Sequence, residues 1–243
     1  AEALRLSTLR STLVYAILLT GSLYGPPVLL VLFARDGASP ITAADLGQCV
    51  MIFLLVTIVF AGASTATEIR RGSTGVSFLT QRLRWPSLLA RLIVLAFFVT
   101  AMYILGMILA LGVCSLHPAG VDLSGGGWTY LCIYLFQILF WIAIAMNLAV
   151  LTRSTAAAVA LPMAWLLLIE NLISAVPITF LQTVAQWTPS NNWALILGEV
   201  YSSSYGSSVV THGVGPAVVA VTAIAAFFIA VGWSAHTRRD TPA

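Results

Sequence analysis

The sequence predicts an all-α integral membrane protein with six transmembrane helices. Three observations carry that expectation. Hydrophobic residues make up 60% of the 243 positions and charged residues only 8%, against roughly 45–50% and about 25% in an ordinary globular domain. The apolar residues fall into continuous blocks about 20 residues long, the length a helix needs to cross a bilayer. The blocks do not alternate in and out as barrel strands would, and lipid admits helices because they satisfy their own backbone groups. One transmembrane domain over residues 1–243 is expected.

Residues 1–10 place Arg5 and Arg10 among Leu4, Leu6 and Leu9, a pattern that suits an amphipathic helix lying on the cytoplasmic surface. The first span is expected at about 12–34. It contains Gly21 and Gly25 at G-x-x-x-G spacing, which lets helices approach closely. Pro26 and Pro27 follow, and each lacks a backbone donor, so a kink or break is expected there. A short polar loop at 35–46 leads to a second span at about 47–66. The segment 67–91 is polar and arginine-rich. The third, fourth, fifth and sixth spans are expected at about 92–113, 128–151, 155–176 and 214–234. A tight turn at Thr152-Arg153-Ser154 separates the fourth from the fifth. Between the fifth and sixth, 177–213 mixes Pro177, Trp187, Pro189, Asn191, Asn192 and Trp193 with a Ser/Tyr/Gly run. Short interfacial or partly re-entrant helices on the outer side are expected there, with tryptophan at headgroup level.

Arginine supplies every basic side chain; there is no lysine. With six spans, Arg5, Arg10, Arg70, Arg71, Arg82, Arg84, Arg91, Arg153, Arg238 and Arg239 share one side, and Arg35 alone falls on the other. The positive-inside rule then puts both termini in the cytoplasm. The same bookkeeping explains the net charge of +3 without any nucleic-acid partner.

Little in the chain points to an enzyme. His117, His212 and His236 are dispersed, and Cys49, Cys114 and Cys132 lack metal-ligand spacing. No structural disulfide is expected, and no catalytic, cofactor or metal residue is assigned. Without lysine, no phosphate-binding G-x-x-x-x-G-K-[ST] loop is possible. Ser124-Gly125-Gly126-Gly127 looks like part of an ATPase signature, but it stands in an outer loop and reads as a turn.

The intramembrane polar residues are the sharper candidates. Glu170 sits in the outer half of the fifth span among Leu and Ile, where a carboxylate costs about 2.5–3.5 kcal/mol on insertion scales. It should face protein or water, either as a cavity or gate residue or as a hydrogen bond to a neighbouring helix. Asn171 follows it. Tyr130, Tyr134, Gln137 and Trp141 recur at helical spacing along the fourth span, and Asn147 lies further in. This stripe either lines a path for an amphiphilic substrate or packs one helix on another.

Three stretches carry a resemblance to a known family. Thr67-Glu68-Ile69-Arg70-Arg71-Gly72-Ser73 follows the second span, and Gln81-Arg82-Leu83-Arg84-Trp85-Pro86 runs into Arg91 at the third. Leu151-Thr152-Arg153-Ser154 precedes Trp165, Ile169-Glu170-Asn171-Leu172 and Trp187-Thr188-Pro189. In this order, and with six spans, the chain resembles the permease subunits of ABC exporters of the second type, in an actinobacterial-like form. That family moves drugs, antibiotics, lipids and polysaccharides. Ser73 stands where the family usually has threonine, and Arg91 where it often has lysine.

The resemblance implies a cytoplasmic coupling helix between spans 2 and 3, with Glu68, Arg70, Arg71, Gly72, Ser73, Arg82, Arg84, Trp85 and Pro86 as ATPase-coupling residues. Glu170, Asn171, Tyr134, Gln137 and Asn147 become candidate pathway or gate residues. It further implies two ABC ATPase subunits per transporter that carry the ATP and Mg, and a second permease, identical or paralogous. The setting would be a bacterial cytoplasmic membrane. The alternatives are an ion- or proton-coupled carrier or channel using Glu170, and a non-transporting membrane anchor.

Overall fold

The structure, a computed structural model, describes residues 10–33, 39–70, 85–201 and 210–238. It is an all-α membrane protein with six helices long and apolar enough to span a bilayer. The expected surface helix at 1–10 lies almost wholly outside the described residues.

The first span is α1 (Arg10–Leu32). It continues through Pro26 and Pro27, so the break expected there does not occur. Proline's fixed φ is itself helical, and the pair removes only two ladder bonds. A second expectation also fails. A Cβ on Gly21 or Gly25 would meet nothing within 4 Å, so this notch packs against no helix among the described residues. The close approach of α1 to the third span is made instead by Gly106, where a Cβ would stand 2.7 Å from Leu23 Cδ1.

The second span, α2 (Ala43–Arg70), starts four residues before the expected position. A capping box explains the earlier start. The Thr42 amide and hydroxyl donate to Asp45 Oδ2 at 2.8 and 2.7 Å, and the Asp45 amide returns a bond to Thr42 Oγ1 at 3.4 Å. The third span is α3 (Trp85–Cys114) and the fourth α4 (Gly127–Thr152). Two strands of two residues, β1 (Ile41–Thr42) and β2 (Val121–Asp122), pair in parallel and clip the segment before α2 to the segment before α4. Gly125 and Gly126 turn the chain into α4 at φ +65 and +95, the left-handed conformation for which glycine carries no Cβ penalty. That matches the turn reading of this glycine run.

Arg153, at φ 52, ends α4, and the Ser154 hydroxyl caps the next helix by accepting from the Ala157 amide at 3.4 Å. The fifth span is not one regular helix. It consists of α5 (Thr155–Ala164), a π-helical turn (Trp165–Ile169) and α6 (Glu170–Ala175). Two short helices follow, α7 (Thr179–Gln186) and α8 (Pro189–Val200), and then the last span, α9 (Val214–Arg238).

The core forms where α2 and α4 pack on each other. These two bury most of their surface, while α1, α3, the fifth span and α9 turn most of theirs outward. Outward residues such as Phe97, Ile108, Leu168 and Phe227 are apolar, as lipid-facing positions must be. Cys49 and Cys114 are buried, Cys132 is exposed, and all three are free.

Candidate functional site: the broken fifth span and its outer hairpin

The fifth span departs from regular geometry twice, and each departure has a sequence cause. Pro162 cannot donate to the Ala158 carbonyl four residues back. That carbonyl oxygen lies against α2, 2.8 Å from where a Cβ on Gly62 would be. Only a glycine lets the two backbones come so close.

The second departure is the π-helical turn, in which the Glu170 amide bonds to the Trp165 carbonyl, five residues back. Its effect is on register. Ala158, Pro162, Leu166 and Glu170 are all buried, at steps of four. In a regular α-helix four residues overshoot a turn, so the face drifts by about 40° per step. A π turn takes more residues per revolution and so rotates the following residues back against that drift. Glu170 is thereby returned to the protein-facing side.

There Glu170 is 3% exposed, and its Oε2 accepts the Ser190 amide of α8 at 2.8 Å. Pro189 occupies the first turn of α8, where its missing donor costs nothing. The carboxylate thus sits at the positive end of a twelve-residue helix, which favours negative charge. α8 runs antiparallel to α4: Trp193 meets Phe140, with ring centroids 5.9 Å apart, and Tyr201 meets Tyr130 at 5.3 Å. Its N-terminus therefore points back toward the middle of the bundle and its C-terminus outward. Short helices were expected in 177–213, and α7 and α8 are two such helices.

Asparagines fasten the hairpin. Asn191 donates to the Ser174 hydroxyl at 3.1 Å and the Ala185 carbonyl at 2.8 Å. Asn192 donates to the Gln186 and Thr188 carbonyls at 3.0 and 2.7 Å. Four buried polar atoms here have no partner among the described residues: Glu170 Oε1, Ser190 Oγ, Asn192 Oδ1 and Trp193 Nε1. They gather around one helix N-terminus and leave the site with unused hydrogen-bonding capacity.

The other pathway candidates are not brought together with Glu170. Asn171 is exposed and donates to the Leu167 carbonyl of its own helix at 3.0 Å. Tyr134 packs edge-on to Tyr130, and both rings lie close to Gly47 of α2, where a Cβ would stand 2.9 Å from the Tyr130 hydroxyl. Gln137 and Trp141 are buried in the same core. The aromatic stripe is therefore packing between helices. Asn147 is buried as well, but its donor goes to the Ala143 carbonyl of its own helix at 2.7 Å rather than across helices. Its carboxamide instead fills the space that a Gly232 side chain would take on α9.

At the opposite end of the bundle, Arg91 of α3 forms an ion pair with Glu68 of α2. Its Nε also donates to Thr65 Oγ1 at 3.1 Å. Both partners are mostly covered, at 15% and 21% side-chain exposure, so the pair is better shielded than a surface bridge. Arg70 is exposed at the end of α2. Trp85 and Pro86 open α3, and their side chains fall outside the described ones. Arg71, Gly72, Ser73, Arg82 and Arg84 also lie outside the described residues.

The sequence alone did not mark Thr65, Gly62, Ser190 or Gly232. Pro162 beside Glu170 was the available signal for an irregular fifth span. Among the described residues no group of three or more His, Cys, Asp or Glu could hold a metal ion. None of the protein families, curated proteins or solved structures compared with the chain matches it.

Proposed function

We propose that this chain is the permease subunit of an ATP-driven ABC exporter, working with a separate ATPase docked on residues 67–91. The observation that carries the reading is the Glu68–Arg91 pair with its Thr65 bond. It ties α2 to α3 where the chain leaves one span and returns to the next. A push on 71–84 then moves both helices as one body instead of being lost in bending. Two packed arrangements of the spans related by such a rigid movement are what alternating access requires.

In this reading the substrate is amphiphilic, a drug, antibiotic, peptide or lipid, and leaves the cytoplasm or inner leaflet. Two ATPase subunits supply ATP and Mg, a second permease copy or paralogue completes the pathway, and both termini are cytoplasmic in a bacterial inner membrane. The broken fifth span is the element that differs from a rigid rod, and discontinuous helices are where many transporters place their substrate and ion sites.

The test is to isolate the chain from its native membrane and cross-link it from single cysteines within 71–84. A co-purifying ATPase that cross-links to this segment is expected. Glu68→Arg and Arg91→Glu should each uncouple ATP hydrolysis from export, and the double exchange should restore part of the coupling. Export that persists without the ATPase and collapses with an uncoupler would replace this reading with an ion-coupled carrier.

A further inference from the structure

His212 joins the outer hairpin to the last span in a way that neither the transport reading nor the Glu170 site uses. It stands in the 210–213 segment leading into α9, on the side of the six-span bundle opposite Arg153. Its Nε2 lies 3.1 Å from the Gln186 carbonyl oxygen at the end of α7, and its Nδ1 lies 3.2 Å from the Gly213 carbonyl oxygen. The ring stacks on the Trp187 indole, with centroids 4.7 Å apart and 24° between planes. Beside it the Thr211 hydroxyl donates to Gln186 Oε1 at 3.1 Å.

Both ring nitrogens thus face oxygens that can only accept. A neutral imidazole carries one N–H and one lone pair, so either tautomer sets a lone pair against one of the two carbonyls. The imidazolium donates from both nitrogens. Its charge also lies over an indole face, the best of the aromatic cation acceptors.

We propose that His212 is a proton-operated clasp that fastens the α7–α8 hairpin to the start of α9 when the outer medium is acidic. The groups facing the ring are the two carbonyls and the Trp187 indole, with Gln186 and Thr211 alongside. Among the described residues no carboxylate or guanidinium forms an ion pair or hydrogen bond with it. The acidic residues of the fifth span and the hairpin are Glu170 of α6, engaged by Ser190, and Glu199, near the far end of α8. The proton therefore acts on the imidazole itself, through its two carbonyl contacts.

Hydrogen exchange of the full chain in lipid nanodiscs tests this, with rates corrected for the intrinsic pH effect. Local opening of the 179–188 segment should be roughly tenfold rarer at about pH 5 than at about pH 8, the worth of one hydrogen bond from a charged donor. His212→Gln keeps a polar bridge but cannot gain charge, and His212→Phe keeps the stack alone. Both should fold, and both should lose the pH dependence in this segment. A wild-type segment that opens equally at the two pH values would overturn the clasp. So would the same pH dependence in the Gln and Phe variants.

Discussion

Glu170 offers a direct measurement of what the π-helical turn accomplishes. The turn brings a carboxylate, 3% exposed, to within 2.8 Å of the Ser190 amide. Glu170→Gln keeps the shape and still accepts from that amide, but it loses charge at a helix N-terminus. A hydrogen bond with a charged partner contributes about 1.5–3 kcal/mol and a neutral one about 0.5–1.5 kcal/mol, so the Gln variant should lose about 1 kcal/mol. Glu170→Ala removes the acceptor altogether. It orphans the Ser190 amide, at a cost of about 1–3 kcal/mol, and adds a cavity in a packed site, so a total of about 3–5 kcal/mol is expected. The assay has two parts. Thermal unfolding of the purified protein should rank wild type above Gln above Ala. Exchange of the α8 amides near Ser190 should accelerate on the same scale, about fivefold for Gln and more than a hundredfold for Ala, while amides in the centre of α2 stay protected. If Gln costs as much as Ala, the site demands something other than an acceptor at Ser190. If Ala costs nothing, the carboxylate does not hold the hairpin, and the argument about register fails.

Three further outcomes follow from the packing. Gly232→Ala should lower stability by about 1–3 kcal/mol because its Cβ falls on the Asn147 carboxamide. Adding Asn147→Ala should recover most of that loss, and strictly additive melting shifts would count against the contact. Gly62→Val should separate α2 from α5, since even a Cβ would stand 2.8 Å from the Ala158 oxygen; disulfide trapping between cysteines placed on the two helices should slow markedly, and an unchanged rate would reject the close approach. After β2, the hydroxyl and amide of Ser124 hold the Asp122 carboxyl below the ordinary aspartate range. A lowered value means that the turn after β2 keeps its full benefit above that range and loses it only as pH falls through the lowered value. Exchange of the Ser124 amide against pH should show that order, and loss of protection at neutral pH would contradict it.

Much of this architecture was legible in composition. Continuous apolar blocks in a chain with so few charges leave no solvent but lipid, and lipid leaves no spanning structure but helices. Their number and approximate limits are thus set by length alone. The tight turn at Arg153, the glycine turn before α4 and the short helices within 177–213 were also readable, because each rests on local chemistry within a few residues. Even Glu170 announced itself, since a carboxylate among Leu and Ile has to be accounted for. What it touches was not legible.

The partners of Glu170, Arg91 and Asn147 lie 20, 23 and 26, and 85 residues away, and no periodicity in one helix names the atom on another. The G-x-x-x-G pair shows the same limit. Gly21 and Gly25 have the spacing for close packing yet meet nothing within 4 Å, while Gly62 and Gly232, with no G-x-x-x-G partner, stand where a Cβ would meet the Ala158 oxygen and the Asn147 carboxamide of another helix. Hydrophobic pattern decides which face a helix buries, because transfer free energy sums over many residues. Which small residue meets which carbonyl depends on helix rotation and on a single π turn, which shifts the register by a fraction of a revolution. Those are properties of the assembled bundle, and only the tertiary structure decides them.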